Sequence, residues 1–409
     1  MKSSFGQWLH NGGEKVVKLY KKYELLLFAL GFLAIAILLR ITNFDQVSGD
    51  FNTFLKGWYE EIKAAGGLKG FASTVGDYTP MYKYIITLLT YIPMKSLHSY
   101  KMVSCIFDVV LAVYVGLIVR RINQSDLSGL LAYAVTLLLP NVFLNSAVWA
   151  QCDSIFSCFC VMSFYYLIKD KGNLSMVFYA IAFSFKIQAI FYAPLVVIAV
   201  LKGKLKPLSL VFLPVVYCLC ALPAIIAGMP VFDALLGAYV KQVGEYPAIT
   251  LHAPNLYQIL PHWYANENLG KMLVFFAIGV CAVFCTALYR AKYELSDKNL
   301  LLIAYLATLL LPFVLPHMHE RYFYLSDVFA VAFAFAFKKK SYLSAATIYC
   351  SLRAIVVYLY DTGMSKIDFP FVAFIMFAAL VGLCIFAMQQ LQPKEREDTG
   401  MVAINEKEE

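Results

Sequence analysis

Residues 174–201 read LSMVFYAIAFSFKIQAIFYAPLVVIAVL, an apolar run broken by a single charge, Lys186, with Gln188 beside it. A run of about twenty apolar residues already matches a bilayer core, and this one is longer. Basic residues bracket it: Lys169 and Lys171 before, and Lys202, Lys204 and Lys206 after. Short loops rich in Lys and Arg stay on the cytoplasmic side of a membrane, so both ends of the segment belong on one side. Two short helices meeting at a polar tip satisfy that better than one long span. Non-helical backbone at such a tip survives only where protein or water lines it.

The rest of the 409-residue chain follows the same pattern. Hydrophobic residues make up 61% and charged residues 15%, against roughly 25% charged in ordinary soluble domains. Mean hydropathy is +0.69. Apolar segments lie at 25–41, 102–119, 127–146, 152–168, 174–201, 207–227, 271–290, 299–316, 322–337, 342–360 and 370–388. The expected fold is all-α and polytopic, with about twelve transmembrane helices, one pair short and re-entrant. Soluble enzymes, disulfide scaffolds and disordered chains are excluded. The net charge of +8 gathers in short clusters between apolar runs, without the basic surface interleaved with aromatics that nucleic acid needs. Of the ten cysteines, Cys158, Cys160, Cys218, Cys220, Cys281 and Cys285 sit inside apolar runs, and no CxxC pair occurs. They read as small packing residues, reduced and inert.

The basic clusters set a topology. Lys15, Lys18, Lys21 and Lys22 precede the first span; Arg120–Arg121, Arg290 with Lys292, and Lys338–Lys340 punctuate later ones. All become cytoplasmic if residues 81–93, too short to cross and ending at Pro93, lie flat on the membrane as an interfacial helix. Residues 1–24 then form a cytoplasmic N-terminal segment rather than a cleavable signal, 25–388 a single transmembrane domain, and 389–409 a charged, disordered cytoplasmic tail.

That topology puts the polar motifs on the outer side. The long outer loops 42–101 and 228–270 carry Asp50 and Asp77, and Glu245, His252, Asn255 and His262, respectively. The short loop WAQCD (149–153) supplies Gln151 and Asp153, and the turn PHMHER (316–321) supplies His317, His319, Glu320 and Arg321. Lys186 and Gln188 point toward the same layer. Solute carriers place ionisable groups near the midplane; a cluster at the interface suits a lipid-linked substrate. Cations and donors there suit a phosphate, with Arg offering a two-pronged fork. Asp50 and Asp77 suit removal of a proton from an acceptor.

Each residue also has a plainer reading. Asp50 and Asp153 could cap helices, and Asp77 could shape a turn before Pro80. Lys186 could be a structural ion pair with Asp108 or Asp327. His317 and His319 could be part of a solvated turn, or the start of an incomplete divalent-metal site. Asn255 and His252 could contact sugar or acceptor. Asp108 and Arg353 read as intramembrane partners of other residues.

Five stretches in order carry a family resemblance: SGDFNTFLKGWYEEIKAAGG (48–67), GDYTPMYKYI (76–85), NSAVWAQCDSI (145–155), FSFKIQAIF (183–191) and HMHERYFYLSDVF (317–329). Together they resemble the GT-C class of integral-membrane glycosyltransferases, which use polyprenyl-phosphate sugars. More narrowly, they are similar to bacterial relatives of the second mannosyltransferase of GPI-anchor synthesis. The resemblance implies a catalytic Asp just after the first span, matched in position by Asp50, with Asp77 as its rival. It implies a donor phosphate bound by basic groups, for which Lys186 and the HER run stand. The expected activity is hexose transfer, mannose first, from a polyprenyl-phosphate donor at the outer face of the plasma membrane to a glycan, lipid or protein acceptor. No cofactor is required, though a divalent metal could assist. Two other readings share the multi-pass body: a lipid or solute transporter or flippase, and an envelope polysaccharide polymerase. No internal repeat relates the two halves, which speaks against a transporter.

Overall fold

The computed structural model describes residues 4–242, 248–260, 267–360 and 368–392. Glu245, His262 and the tail from residue 393 lie outside the described residues, so the expectations placed on them find no counterpart here.

The chain is helical almost throughout. A long first helix, α1 (Ser4–Ile41), leads into a turn and then α2 (Lys56–Ala65) and α3 (Pro80–Leu89). Four helices follow: α4 (Ser96–Asn123), α5 (Asp126–Leu138), the short α6 (Pro140–Phe143) and α7 (Asp153–Ile168). Next come α8 (Gly172–Phe185), α9 (Ala193–Leu201), α10 (Phe212–Ile226), α11 (Ala238–Gln242) and α12 (Leu256–Ile259). The last five are α13 (Glu267–Arg290), α14 (Asp297–Val314), α15 (Tyr324–Ala336), α16 (Ser341–Tyr360) and α17 (Asp368–Gln390). Among the described residues seven helices are long and apolar enough to cross a bilayer, and an eighth arises if α5 and α6 count as one bent span. Shorter apolar helices at Asp153–Ile168, Gly172–Phe185, Ile187–Leu201 and Tyr324–Ala336 complete the bundle. The protein is a helical, multi-pass membrane protein.

The 174–201 segment divides as expected. α8 ends at Phe185, Lys186 adopts extended backbone (φ −155°, ψ 135°), and a 3-10 turn over Ile187–Tyr192 leads into α9. The 127–146 segment differs from its expectation of one span: it bends by 46° between Leu138 and Pro140. Pro140 has no N–H to donate and pushes Leu139 out of helical backbone (ψ 126°), so the helix must restart. The expected long loop 42–101 is mostly helix, with α2, α3 and the first turn of α4 inside it. Among the described residues one small sheet joins the helices: β1 (Thr250–Leu251) pairs in parallel with β2 (Met318–His319).

α14 is buried over 83% of its apolar window, whereas α1 and α13 are buried over only 11% and carry exposed Leu, Ile and Phe. An apolar surface facing outward is stable in hydrocarbon, so α14 sits at the centre and α1 and α13 face lipid. α4 and α5 touch through Gly116 and Gly129: a Cβ on Gly116 would lie 2.8 Å from the Gly129 carbonyl oxygen. Small residues of this kind let membrane helices approach closely. Arg40, near the end of α1, is buried and donates to Asp108 of α4 (2.8 Å) and to the Leu137 carbonyl of α5 (2.9 Å). This pair answers the expectation that Asp108 has an intramembrane partner, and it fixes where α1 hands the chain to the Asp50 loop.

Candidate active site

The turn after α1 is held by a lysine. Lys101 of α4 donates its ammonium to the carbonyls of Asn43 (2.9 Å), Phe44 (3.0 Å) and Gln46 (2.6 Å), tying the turn beyond the helix end to α4. Ser48 then donates to the Trp149 carbonyl (2.8 Å), pinning the loop to the far side of the site. Asp50 follows. Its side chain makes no capping hydrogen bond, so the helix-cap reading does not describe it. Instead Oδ2 accepts from Trp149 Nε1 (3.0 Å) and Gln151 Nε2 (2.6 Å), and Oδ1 accepts from the Tyr358 hydroxyl of α16.

Gln151 reaches Asp50 because the chain reverses at Ala150, which has φ 66°. That left-handed backbone is uncommon for a residue with a Cβ. Two residues on, Asp153 opens α7, buried. Its Oδ2 accepts from Asn145 Nδ2 (2.9 Å), and its Oδ1 is the partner of Lys186 Nζ. The expected ion pair for Lys186 therefore forms with Asp153, not with Asp108 or Asp327. Asp108 is taken by Arg40, and Asp327 by Asn141 and Ser351. The break between α8 and α9 lets the Lys186 side chain run among the rings of Tyr78, Phe156 and Tyr322, 5.7–5.9 Å away.

The HER run is presented by the sheet. Leu251 and His319 are register partners, and His317 donates its amide to the Ile249 carbonyl (2.6 Å). Arg321 then turns inward. Its guanidinium lies 3.0 Å from Glu320, 3.6 Å from Asp153 and 3.9 Å from Asp50, and 5.2 Å from the Trp149 ring. Trp149 in turn stacks on Tyr358 (4.6 Å between centroids). His319 Nδ1 lies 3.8 Å from Glu320. Burial holds the His319 imidazole below its usual value, with Arg321 adding to the shift and Glu320 opposing it. Burial pushes the Glu320 carboxyl up, but contact with His319 and Arg321 outweighs that and holds it below the ordinary range. His319 is thus neutral and Glu320 ionised near pH 7.

These groups surround a pocket of about 280 Å³. Asp50, Asp77, Gln151, His319, Glu320 and Arg321 line it, and Asp153 and Lys186 stand behind Arg321. Three expected site residues are elsewhere. His317 faces the Ala248 carbonyl (2.8 Å) and Gly270. Asn255 is buried and caps α12, accepting from the Tyr257 amide (3.2 Å). Gln188 is buried in the 3-10 turn, and its amide oxygen has no partner among the described residues. The pocket adds Trp58, Tyr78, His252 and Tyr358 to the set. His252 was a candidate from the sequence, and Trp58 and Tyr78 lie within the 48–67 and 76–85 stretches; Tyr358 lies near the end of the apolar segment 342–360 with nothing to mark it.

The charges nearly cancel. Asp50, Asp77, Asp153 and Glu320 meet Lys186 and Arg321, and Lys83 of α3 acts on Asp77. Burial, with Lys241 nearby, pushes Lys83 down to about 8. Little positive charge is spare, so an arriving anion must draw a proton or displace a carboxylate. Among the described residues no three His, Cys, Asp or Glu side chains converge to hold a metal ion. The arrangement offers a fixed carboxylate opposite a guanidinium, with the Trp149 ring alongside both.

Residues 77–232 match the family model described as dolichyl-phosphate-mannose-protein mannosyltransferase. The match covers well under half of the chain. It includes Asp77, Gln151, Asp153, Lys186 and Gln188, and stops short of Asp50 and the HER run. No curated protein matches the chain. The helical membrane body and this match together support a membrane glycosyltransferase of mannosyltransferase-like type.

Proposed function

We propose that this protein transfers a hexose, mannose first, from a polyprenyl-phosphate donor to an envelope acceptor at the outer face of the plasma membrane. The carrying observation is the pocket itself: Asp50 from the first loop and Arg321 from the last polar turn face each other at 3.9 Å across 317–321 and 42–50, segments far apart in the chain. The family described for residues 77–232 is named for a polyprenyl-type phosphate sugar, which fits a phosphate on the Arg321 side.

In the proposed step an acceptor oxygen or nitrogen attacks the anomeric carbon and loses its proton to Asp50, with Asp77 as the alternative base. The bond from that carbon to the phosphate oxygen breaks, its electron pair leaves with polyprenyl phosphate, and the configuration inverts. Arg321 and Lys186 act on the charge that grows on the leaving group. Because the resident charges nearly cancel, the incoming phosphate also draws a proton onto His319. No metal is required in this scheme.

In this proposal about twelve helices, one pair of them short and re-entrant, keep the basic clusters on the cytoplasmic side, and the pocket then faces outward. The test uses purified full-length protein and short-chain polyprenyl-phosphate mannose, glucose and galactose in turn, with and without a cell-envelope extract as acceptor source. Release of free polyprenyl phosphate that depends on the sugar and on Asp50 supports the reading. No release from any donor with acceptor supplied, together with movement of labelled lipid across a bilayer, overturns it in favour of a transporter.

A further inference from the structure

At the end of the bundle away from Asp50, two cavities meet. Arg120 stands 24 residues along α4 from Ser96, which places it about 36 Å from the Asp50 end of that helix. One cavity is an apolar groove of about 490 Å³ between α1, α4 and α5. Leu25, Leu30, Val113 and Leu130 line it, and its floor is the close approach of Gly116 to Gly129. The other is a polar cavity of about 320 Å³ at the α4–α5 turn, lined by Arg120, Arg121 and Lys169. They are continuous, sharing Leu117, Arg120 and Asp126.

The polar cavity carries surplus positive charge. Arg120 pairs with Asp126, and Arg121 donates to Asp297 (2.8 Å) and to the Ile168 carbonyl (2.9 Å). Lys169 meets only the Tyr165 hydroxyl (3.4 Å) and ring (5.2 Å) among the described contacts. A pure anion site would have no use for the groove, and a neutral lipid would have no use for the cations. From Arg120 back to Val109 the groove runs about 16 Å along α4, roughly half of a ~30 Å hydrocarbon core, the depth of one leaflet. α1 packs little of its surface on protein, so an ordered chain there would fill space the protein leaves open.

We propose that this paired cavity binds one anionic glycerophospholipid, its phosphate on Lys169 and Arg120 and one acyl chain in the groove, holding α1 against α4 and α5. The proposal is independent of the reaction assigned to the Asp50 pocket.

The test takes full-length protein in detergent, delipidated, with phosphatidylglycerol, phosphatidylcholine or inorganic phosphate added back. Native mass spectrometry reads retained lipid, and thermal unfolding reads stabilisation. Phosphatidylglycerol is expected to be retained and to raise the unfolding temperature, with phosphatidylcholine weaker by roughly fivefold per cation lost to it. Lys169→Gln should cut that preference about fivefold. Val113→Trp, which fills the groove, should lower retention of both lipids. Equal retention of the two lipids, an unchanged preference in Lys169→Gln, or the same stabilisation by inorganic phosphate alone overturns the proposal. Lys169 is exposed, so that variant remains decisive even if the groove variant does not fold.

Discussion

The hydroxyl of Tyr358 donates to the carboxylate of Asp50, joining the loop after the first helix to the last turn of α16, more than three hundred residues away in the chain. Trp149 and Gln151 complete the set, so three donors from two further segments fix the rotamer of one carboxylate. A carboxylate held this firmly is oriented rather than free to seek partners, and orientation is what a positioned base needs.

If Asp50 takes the acceptor proton, Asp50→Asn lowers kcat by about 10²- to 10⁴-fold, within the usual contribution of general acid–base catalysis. Tyr358→Phe leaves the acceptor of the proton in place but loosens it, and about a tenfold loss in kcat with little change in donor KM is expected. Steady-state rates of polyprenyl phosphate release measure both. Wild-type turnover in Asp50→Asn would move the base role to Asp77, to be checked in Asp77→Asn.

Asp153 neutralises Lys186 in a buried position and also approaches Arg321. Removing one member of a buried pair leaves the other charge without compensation, at a cost of about 3–5 kcal/mol. Asp153→Asn should therefore unfold at a clearly lower temperature, and the double variant with Lys186→Gln should recover much of the loss. Equal stability of wild type and the single variant would show that water already screens Lys186.

Burial holds His319 below its unfolded value of 6.5, between Glu320, Arg321 and Lys186 with Tyr322 against its ring. The unfolded chain therefore binds more protons there, so this contribution to stability is complete above about pH 6.5 and is lost as pH falls below it. Glu320, also held below its ordinary 4.5, adds a loss at still lower pH. Unfolding midpoints between pH 5 and 8 should fall on acidification, and less steeply in His319→Gln. Donor binding should run the other way, tightening modestly as pH drops from 7.5 to 6.5, because a bound phosphate favours the protonated ring. A flat affinity over that range would remove His319 from the phosphate site.

Activity should survive a chelator. With charge neutralisation assigned to Arg321, Lys186 and His319, EDTA treatment followed by assay without added metal is expected to leave the rate within about twofold of the untreated value, well under the contribution of a catalytic metal. Loss of activity, restored by a divalent cation, would assign the neutralisation to metal instead.

Much of the fold was legible because membrane insertion depends on local, additive properties. Run length, the basic clusters and the lysine inside 174–201 located the helices and the break at Lys186. The bend at Pro140 was equally local, but it lay inside an apolar run long enough to read as one span. The site was legible in part. Asp50, Asp77, Gln151 and the HER run stand out as polar residues in an apolar chain, and six of them line one pocket. His317 and Asn255 stand out just as clearly, yet serve loop backbone. Polarity alone does not distinguish a group facing a cavity from one satisfying a carbonyl.

The sequence by itself determined that this chain is a bundle of apolar helices, because burial in hydrocarbon is decided residue by residue along each run. It also determined which few segments could carry charge. Only the tertiary structure decided who meets whom: Lys186 with Asp153 rather than Asp108, Arg40 with Asp108, and Tyr358 with Asp50. Those pairings arise from the packing of helices remote in sequence, where an unpaired buried charge costs enough that each cation settles on the carboxylate the packing brings within reach.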